Sequence, residues 1–345
     1  PDALSLQSVL QFAGVDEQQL FSELSLSYAS ASGDESLRAE IATLYPGLDA
    51  ENILLFSGAN EAIFAVNQVL LNAGDRLQVI TPVYEPLMLV ARQSGTQVNT
   101  VPMSFNQGGW QLDVAQWIEQ LGTTTNMASI NFPHNPTGAM LSAIQQQAMV
   151  DACRERNCWL FSDEVFRGLE HQPSAKLSPI ASLYEKGISM GAISKTLGLG
   201  GVRIGWVASQ NKPLLQALLR YKHWLSVCHG QADAAIALVA MQHRESIWQA
   251  HRLQIRHNLQ ILQDREIFHS YFNWQAPSAG CVSFPQVQSV EDVGKFTRHL
   301  LDNAGIMLIP GNCFRQGSQH VRFGFARKDF EMALSALEKY LIDSC

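Results

Sequence analysis

The stretch GAISKTLGLGGVRIGW, residues 191–206, sets one lysine, Lys195, and one arginine, Arg203, in a run of small and apolar residues. Such a run otherwise reads as protein interior, so the two cations need a reason to be there. Short apolar segments rich in β-branched residues surround them: CWLFS (158–162), ISMGAIS (188–194) and RIGWVAS (203–209). Further out the same unit recurs. NILLF (52–56) precedes NEAIFAVNQVLL, RLQVIT (76–81) precedes EPLMLVARQSG, and MASINF (127–132) precedes LSAIQQQAMVDACRERN. Strand–helix alternation of this kind predicts an α/β fold, a mostly parallel sheet with helices on both faces. From Pro213 to about Ile267 the pattern turns helical, and a shorter α/β segment with strands near CVSFPQ and HVRFGFA closes the chain. We therefore expect a large domain of residues 28–243 and a smaller one of residues 1–27 plus 244–345.

Composition narrows the classes. The chain has 345 residues, 46% of them hydrophobic and only 16% charged, with a formal net charge of −7. Low charge points to much buried surface, inside the chain or against a partner subunit. No Lys/Arg-rich block occurs, which argues against nucleic acid or an anionic membrane as partner. Cys153, Cys158, Cys228, Cys281, Cys313 and Cys345 form no CxxC pair. They read as free thiols of a reducing compartment, not as a disulfide frame or a metal site. No apolar run reaches membrane length and no signal peptide opens the chain, so the expected location is cytoplasmic. The chain opens at Pro1 without a methionine, which points to an N-terminal piece preceding it.

In open α/β sheets, ligands bind at the carboxyl ends of the strands. After NILLF come Ser57, Gly58, Ala59 and Asn60; after VIT, Tyr84; after SINF, Asn135; after WLFS, Asp163 and Glu164; after GAIS, Lys195. Each has a plain reading: a helix cap, a turn, a core aromatic, a lysine reaching for water. Their convergence on one rim is harder to dismiss. A desolvated amine is suited to a Schiff base with an aldehyde, because burial disfavours its charged form. If that aldehyde belongs to a phosphorylated cofactor, the SGAN turn at a helix N-terminus and the fork of Arg203 serve the phosphate. Asp163 would then keep a ring nitrogen protonated, Asn135 would donate to a ring oxygen, and Tyr84 would cover a ring face. The cofactor so described is pyridoxal 5'-phosphate.

With these residues in place, the chain resembles the class I/II aminotransferases, fold-type I enzymes of the aspartate aminotransferase superfamily. The likeness runs from YASASGDESLRAEIATLY through FSGANEAI, TPVYEPL, NFPHNPTG, FSDEVFRGLE and ISKTLGLGGVRIGW to PGNCF and VRFGFA. It implies a seven-stranded-type sheet and a smaller α/β C-terminal domain. Lys195 resembles the Schiff-base lysine, Asp163 the partner of the pyridine nitrogen, Asn135 the partner of the ring oxygen, and Tyr84 the stacking aromatic. Gly58, Ala59, Asn60 and Arg203 resemble the phosphate cup, and Arg322 the clamp for the substrate α-carboxylate. Tyr28 resembles the tyrosine that reaches the phosphate of the neighbouring subunit, which implies a homodimer. Two positions depart from the pattern. Phe166 stands where the family usually has a tyrosine, and Ala192 where it often has a phosphate-binding serine.

The resemblance implies a dimeric, cytoplasmic aminotransferase moving an amino group between an amino acid and an oxo acid. A β-lyase, or an eliminating cyclase of the capreomycidine-synthase kind, shares all these motifs. A non-catalytic sensor built on the same fold is the reading from another class, and the retained Lys195 argues against it. A nicotinamide dehydrogenase fails for want of a G-x-G-x-x-G turn after a strand. His223, Trp224 and His229 read as core or interface residues before pocket-lining ones.

Overall fold

Alternate residues along a strand point to opposite faces of its sheet, so a strand apolar at every position is covered on both sides. Seven segments of this chain meet that condition or flank those that do. They are β1 (Ile53–Phe56), β2 (Arg76–Thr81), β3 (Gln97–Pro102), β4 (Met127–Asn131), β5 (Trp159–Asp163), β6 (Gly187–Ala192) and β7 (Gly205–Ala208). In the computed structural model, which describes residues 1–14, 21, 23–288, 290–317 and 319–343, they form one sheet in the order β1-β7-β6-β5-β4-β2-β3. β7 is antiparallel to both its neighbours, and the remaining pairs are parallel.

The two faces are read directly from the strands. Leu54, Phe56, Phe161 and Val207 join one apolar cluster with residues of α1 (Ala59–Leu70), α2 (Pro86–Gln93) and α4 (Lys212–Lys222). Ile53, Leu55, Trp206 and Ala208 face the other way, against α5 (Gln231–Gln242) and the helix Glu35–Ala42. On that same side Ile130 and Leu160 pack with Met149 and Val150 of α3 (Ala143–Glu155). The 20-residue helix α6 (Arg244–Gln263) begins among the second cluster and ends in the first. There Asn258 Nδ2 donates to the carbonyls of Phe325 and Arg327. A three-stranded antiparallel sheet of β8 (Val282–Ser283), β9 (Ile309–Pro310) and β10 (Val321–Gly324) lies in this C-terminal part, with β10 in the centre.

The expected α/β architecture with a mostly parallel sheet is present. Three details differ from the sequence reading. β3 was not anticipated, because it is an edge strand whose only fully buried residue is Val101, leaving no apolar run to notice. The helical stretch after Pro213 is broken between α4 and α5 by residues 223–230. Arg203 stands just outside a strand, and Lys195 sits on a single helical turn, Ile193–Thr196. Cys153, Cys158, Cys228, Cys281 and Cys313 are free thiols, and Cys345 lies outside the described residues. No described helix is long and apolar enough to cross a membrane.

Candidate active site

Strand register assembles the site. Asn131 pairs with Asp163, and Asp163 with Met190, so the carboxyl ends of β4, β5 and β6 are level. Gly205 at the start of β7 is flanked by Phe56 and Ala192. A Cβ on Gly205 would lie 2.7 Å from the amide nitrogen of Ala59. Only glycine therefore lets the start of α1 approach the sheet this closely.

At the start of α1, Gly58 is the N-cap residue, with φ +93°, and no side chain caps the helix. The first-turn N–H groups of such a helix are free of intrahelical partners and favour an anion. Arg203 lies against this turn: its Nη2 occupies the place that a Cβ on Gly58 would take. The same arginine donates from Nη1 to the carbonyl of Gly200 at 3.0 Å, and its backbone is left-handed, with φ +55°. A non-glycine residue held there costs on the order of 1–3 kcal/mol, a pattern that clusters at ligand clamps. Asn60 accepts a hydrogen bond from Tyr84 Oη at 3.0 Å, so the half-buried ring of Tyr84 is fixed to α1.

Asp163 forms the floor. It is 3% exposed, and burial pushes its carboxyl from the ordinary 3.8 up to about 7. The N–H of Val165, which it accepts at 3.1 Å, pulls against burial; the charge of Glu164 adds to the rise and that of Lys195 opposes it. Glu164 is turned away into an ion pair with Arg167 at 2.8 Å and accepts from Ser189 Oγ and the N–H of Ile180. A chain of polar contacts leaves the floor. Asn131 Nδ2 donates to the carbonyl of Asp163, Asn131 Oδ1 accepts from the N–H of Asn135, and Asn135 Oδ1 accepts from Arg322 Nη1 at 3.0 Å. With Oδ1 so engaged, the Nδ2 end of Asn135 is the part left to donate elsewhere. The guanidinium of Arg322 lies 5.1 Å from the ring centre of Phe314. Phe314 is tied back to the Tyr84 loop, its carbonyl accepting from the N–H of Val83.

Nine of the ten sequence-identified residues thus lie on this rim or reach it through these contacts. Lys195 needs a correction: it is exposed, not desolvated in its apolar run, because the turn Ile193–Thr196 carries its side chain out of the strand. Tyr28 is the exception. It is 89% exposed and lines a cavity of about 450 Å3 with Cys228, His229 and Gly230. The sequence reading missed Asn131, whose signal was a lone asparagine at the end of an apolar strand. It did not single out Glu61, although FSGANEAI contains it, or Lys222, which carries no local signal. Phe166 is buried within the core, in ordinary reach of Gly280. Ala192 is buried at the end of β6.

The likeness to known proteins covers the same residues. Capreomycidine synthase of Streptomyces vinaceus is 28% identical over 313 residues, spanning 90% of this chain and 79% of that protein. Arginine–pyruvate transaminase of Pseudomonas aeruginosa is 27% identical over 316 residues, spanning 86% and 77%. The crystal structure of a PLP-dependent aminotransferase from Streptococcus suis superposes with a TM-score of 0.91 at 27% identity, covering 99% of this chain and 91% of that one. The family profile described as aminotransferase class I and II matches residues 8–339. The chain belongs to the class I and II aminotransferases, a family of enzymes that depend on pyridoxal phosphate.

Proposed function

We propose that this protein moves an amino group between an amino acid and an oxo acid, with Lys195 as the residue that bonds the cofactor and carries the proton. The observation that carries the reading is Asp163, a carboxyl buried at large electrostatic cost on the same rim as Lys195 and the Arg203–Gly58 turn. A carboxylate so placed fits a cationic ring nitrogen, and an uncapped helix start beside a guanidinium fits a phosphate. Pyridoxal phosphate supplies an aldehyde for amine exchange and a ring that takes up the electron pair left at a substrate carbon.

The protein's own part follows from the geometry. Arg203 and the first-turn N–H groups of Ala59 and Asn60, which Gly58 leads into with its own N–H on the carbonyl of Phe56, would hold the phosphate. Asp163 accepts from the ring N–H, Asn135 Nδ2 donates to the ring oxygen, and Tyr84, fixed by Asn60, covers a ring face. Arg322 holds the substrate α-carboxylate with its fork, already oriented by Asn135 and Phe314. Lys195 Nζ would take the proton from the substrate Cα and deliver it, across the intervening nitrogen, to the cofactor carbon that had been the aldehyde. We read the chain as a large cofactor-binding domain, 28–243, with a smaller domain of 1–27 plus 244–345.

We also read the protein as a cytoplasmic homodimer in which Tyr28 serves the partner's phosphate. Exposed Leu26, Tyr28, Trp224 and Val227 support that reading, as does buried His229, whose ring nitrogens have no hydrogen-bond partner among the described residues. The likeness to capreomycidine synthase favours a second reading, an eliminating lyase or cyclase that uses the same residues. Borohydride reduction of the cofactor-loaded protein, peptide mapping and a screen of amino acids with product identification test both. Absence of a modified Lys195 overturns the assignment of that residue. Ammonia released together with an oxo acid when no amino acceptor is supplied, or a cyclised product, selects the second reading.

A further inference from the structure

Glu61, within FSGANEAI, and Lys222, outside any quoted motif, tie the cup turn to two segments packed beside it. Glu61 lies in the first turn of α1, where a carboxylate sits close to the proposed phosphate and gains nothing by repelling it. Its two oxygens explain its presence. Oε2 accepts from the N–H of Ser57, in the cup turn, and Oε1 accepts from the N–H of Ser226 at 3.1 Å. One carboxylate thus staples the cup to the loop between α4 and α5.

Lys222 is 0% exposed. Its Nζ donates to the carbonyl of Ala31 at 2.7 Å and lies 5.9 Å from the ring centre of Phe56, the residue that leads into the cup turn. Burial pushes its ammonium down to about 8, against the opposing pull of Glu61 and Cys228. Its own carbonyl accepts from the N–H groups of Leu225 and Val227 and so folds the loop around it. Val227 holds φ +64°, a strained setting for a β-branched residue. Ala31 belongs to the arm that carries Tyr28. The arm is pinned on its other side, where the N–H of Leu55 donates to the carbonyl of Ser32.

The geometry points to Glu61 and Lys222 as positioning residues that link each subunit's cup to the segments, residues 26–33 and 224–230, that it offers to its partner's site. This rests on the dimer proposed above. Glu61 holds the loop to the cup, and Lys222 holds the Tyr28 arm to the loop. Lys222 is then predicted to act mainly on the partner's site and Glu61 on both.

The test uses heterodimers of two differently tagged full-length chains. One carries Lys195→Ala, so only the other, working chain can be trapped on Lys195. The fraction of Lys195 labelled by borohydride at each pyridoxal phosphate concentration then reports the working cup alone. Lys222→Met in the Lys195→Ala chain is expected to weaken cofactor binding at the working site ~10-fold, matching Tyr28→Phe in that chain, with the two together adding little more. Lys222→Met in the working chain is expected to change it less than about twofold. The Met variant should fold, since it removes a buried charge and fills the same space. Glu61→Gln, the independent variant, is expected to weaken the working site from either chain. No effect of Lys222→Met from the Lys195→Ala chain, or an effect from the working chain alone, overturns the link; so does Glu61→Gln acting only from the working chain. A monomer by light scattering overturns the dimer reading itself, a result separable from intact dimers that show no effect across subunits.

Discussion

Asp163 and Lys195 stand at the ends of neighbouring strands, and their surroundings differ in kind. Asp163 is sealed beneath the rim, where burial works against its charge until a cation arrives. At 1.36 kcal/mol per pKa unit, a carboxyl lifted from 3.8 to about 7 carries roughly 4 kcal/mol of charge penalty. Lys195, one strand over, is exposed on a single helical turn. The electrostatic cost in this pair sits at the floor. The floor, which would meet a resident ring, is buried. The reacting end, which must release one amine and take up another, is open.

Asp163→Asn keeps shape and burial and removes the charge. Turnover is expected to fall ~10³-fold, in line with loss of a key electrostatic group, while the cofactor remains bound through the cup. Steady-state kcat beside a cofactor-binding titration checks this. A near-normal kcat would show that the floor charge does not assist the chemistry.

The cost of the floor should also appear in the cofactor-free protein as a pH dependence. Because the folded pKa of Asp163 lies above its unfolded value, its contribution to stability is fully present below about pH 3.8 and is lost as pH rises through 7. His134 and His229 act in the opposite sense. Burial lowers them to about 3 and about 4, so their contribution is present above 6.5 and is lost as pH falls through those values. Comparing wild type with Asp163→Asn cancels the histidines. The wild type is expected to lose ~3 kcal/mol relative to the variant between pH 5 and pH 8, read by urea unfolding at both. Parallel stability curves would mean that the floor is better solvated than its burial indicates.

Arg322→Lys probes the site midway between floor and rim. Lysine keeps the charge but loses the fork and the bond to Asn135. The KM for amino acids is expected to rise ~30-fold, a loss of about 2 kcal/mol from a bidentate charged contact, with little change for the corresponding decarboxylated amines. Equal losses for both would count against the carboxylate role.

The smallest expected effect is at Phe166. A tyrosine there could donate to the ring oxygen, at roughly 1.5–3 kcal/mol before compensation. Phe166→Tyr is therefore expected to shift the pH at which the visible band of the loaded enzyme changes by about one unit downward. Superimposable titrations would leave Phe166 as a core residue only, consistent with its burial.

Much of this was legible before any coordinates. Asp163, Asn135 and Lys195 each follow an apolar run closely, and the rule that ligands gather at strand ends placed them together. Arg203 was legible for a related reason: a cation in a run of glycines and apolar residues needs an anion. β3 was not legible, because an exposed edge strand has no apolar pattern. The exposure of Lys195 was missed because the apolar run suggested burial, whereas the helical turn at its end decides where the side chain goes.

By itself, then, the sequence determined the layers and the rim: apolar strands covered on both faces, with polar residues at their carboxyl ends. Local patterning suffices for that, since each strand reports its own burial. The tertiary structure decided how the rim is held. Lys222 meets Ala31 across 191 residues of sequence, and Arg322 meets Asn135 across 187. No periodicity records which distant carbonyl a buried ammonium will find. That choice follows from where the packed helices leave a donor without water, and it exists only once the chain is folded.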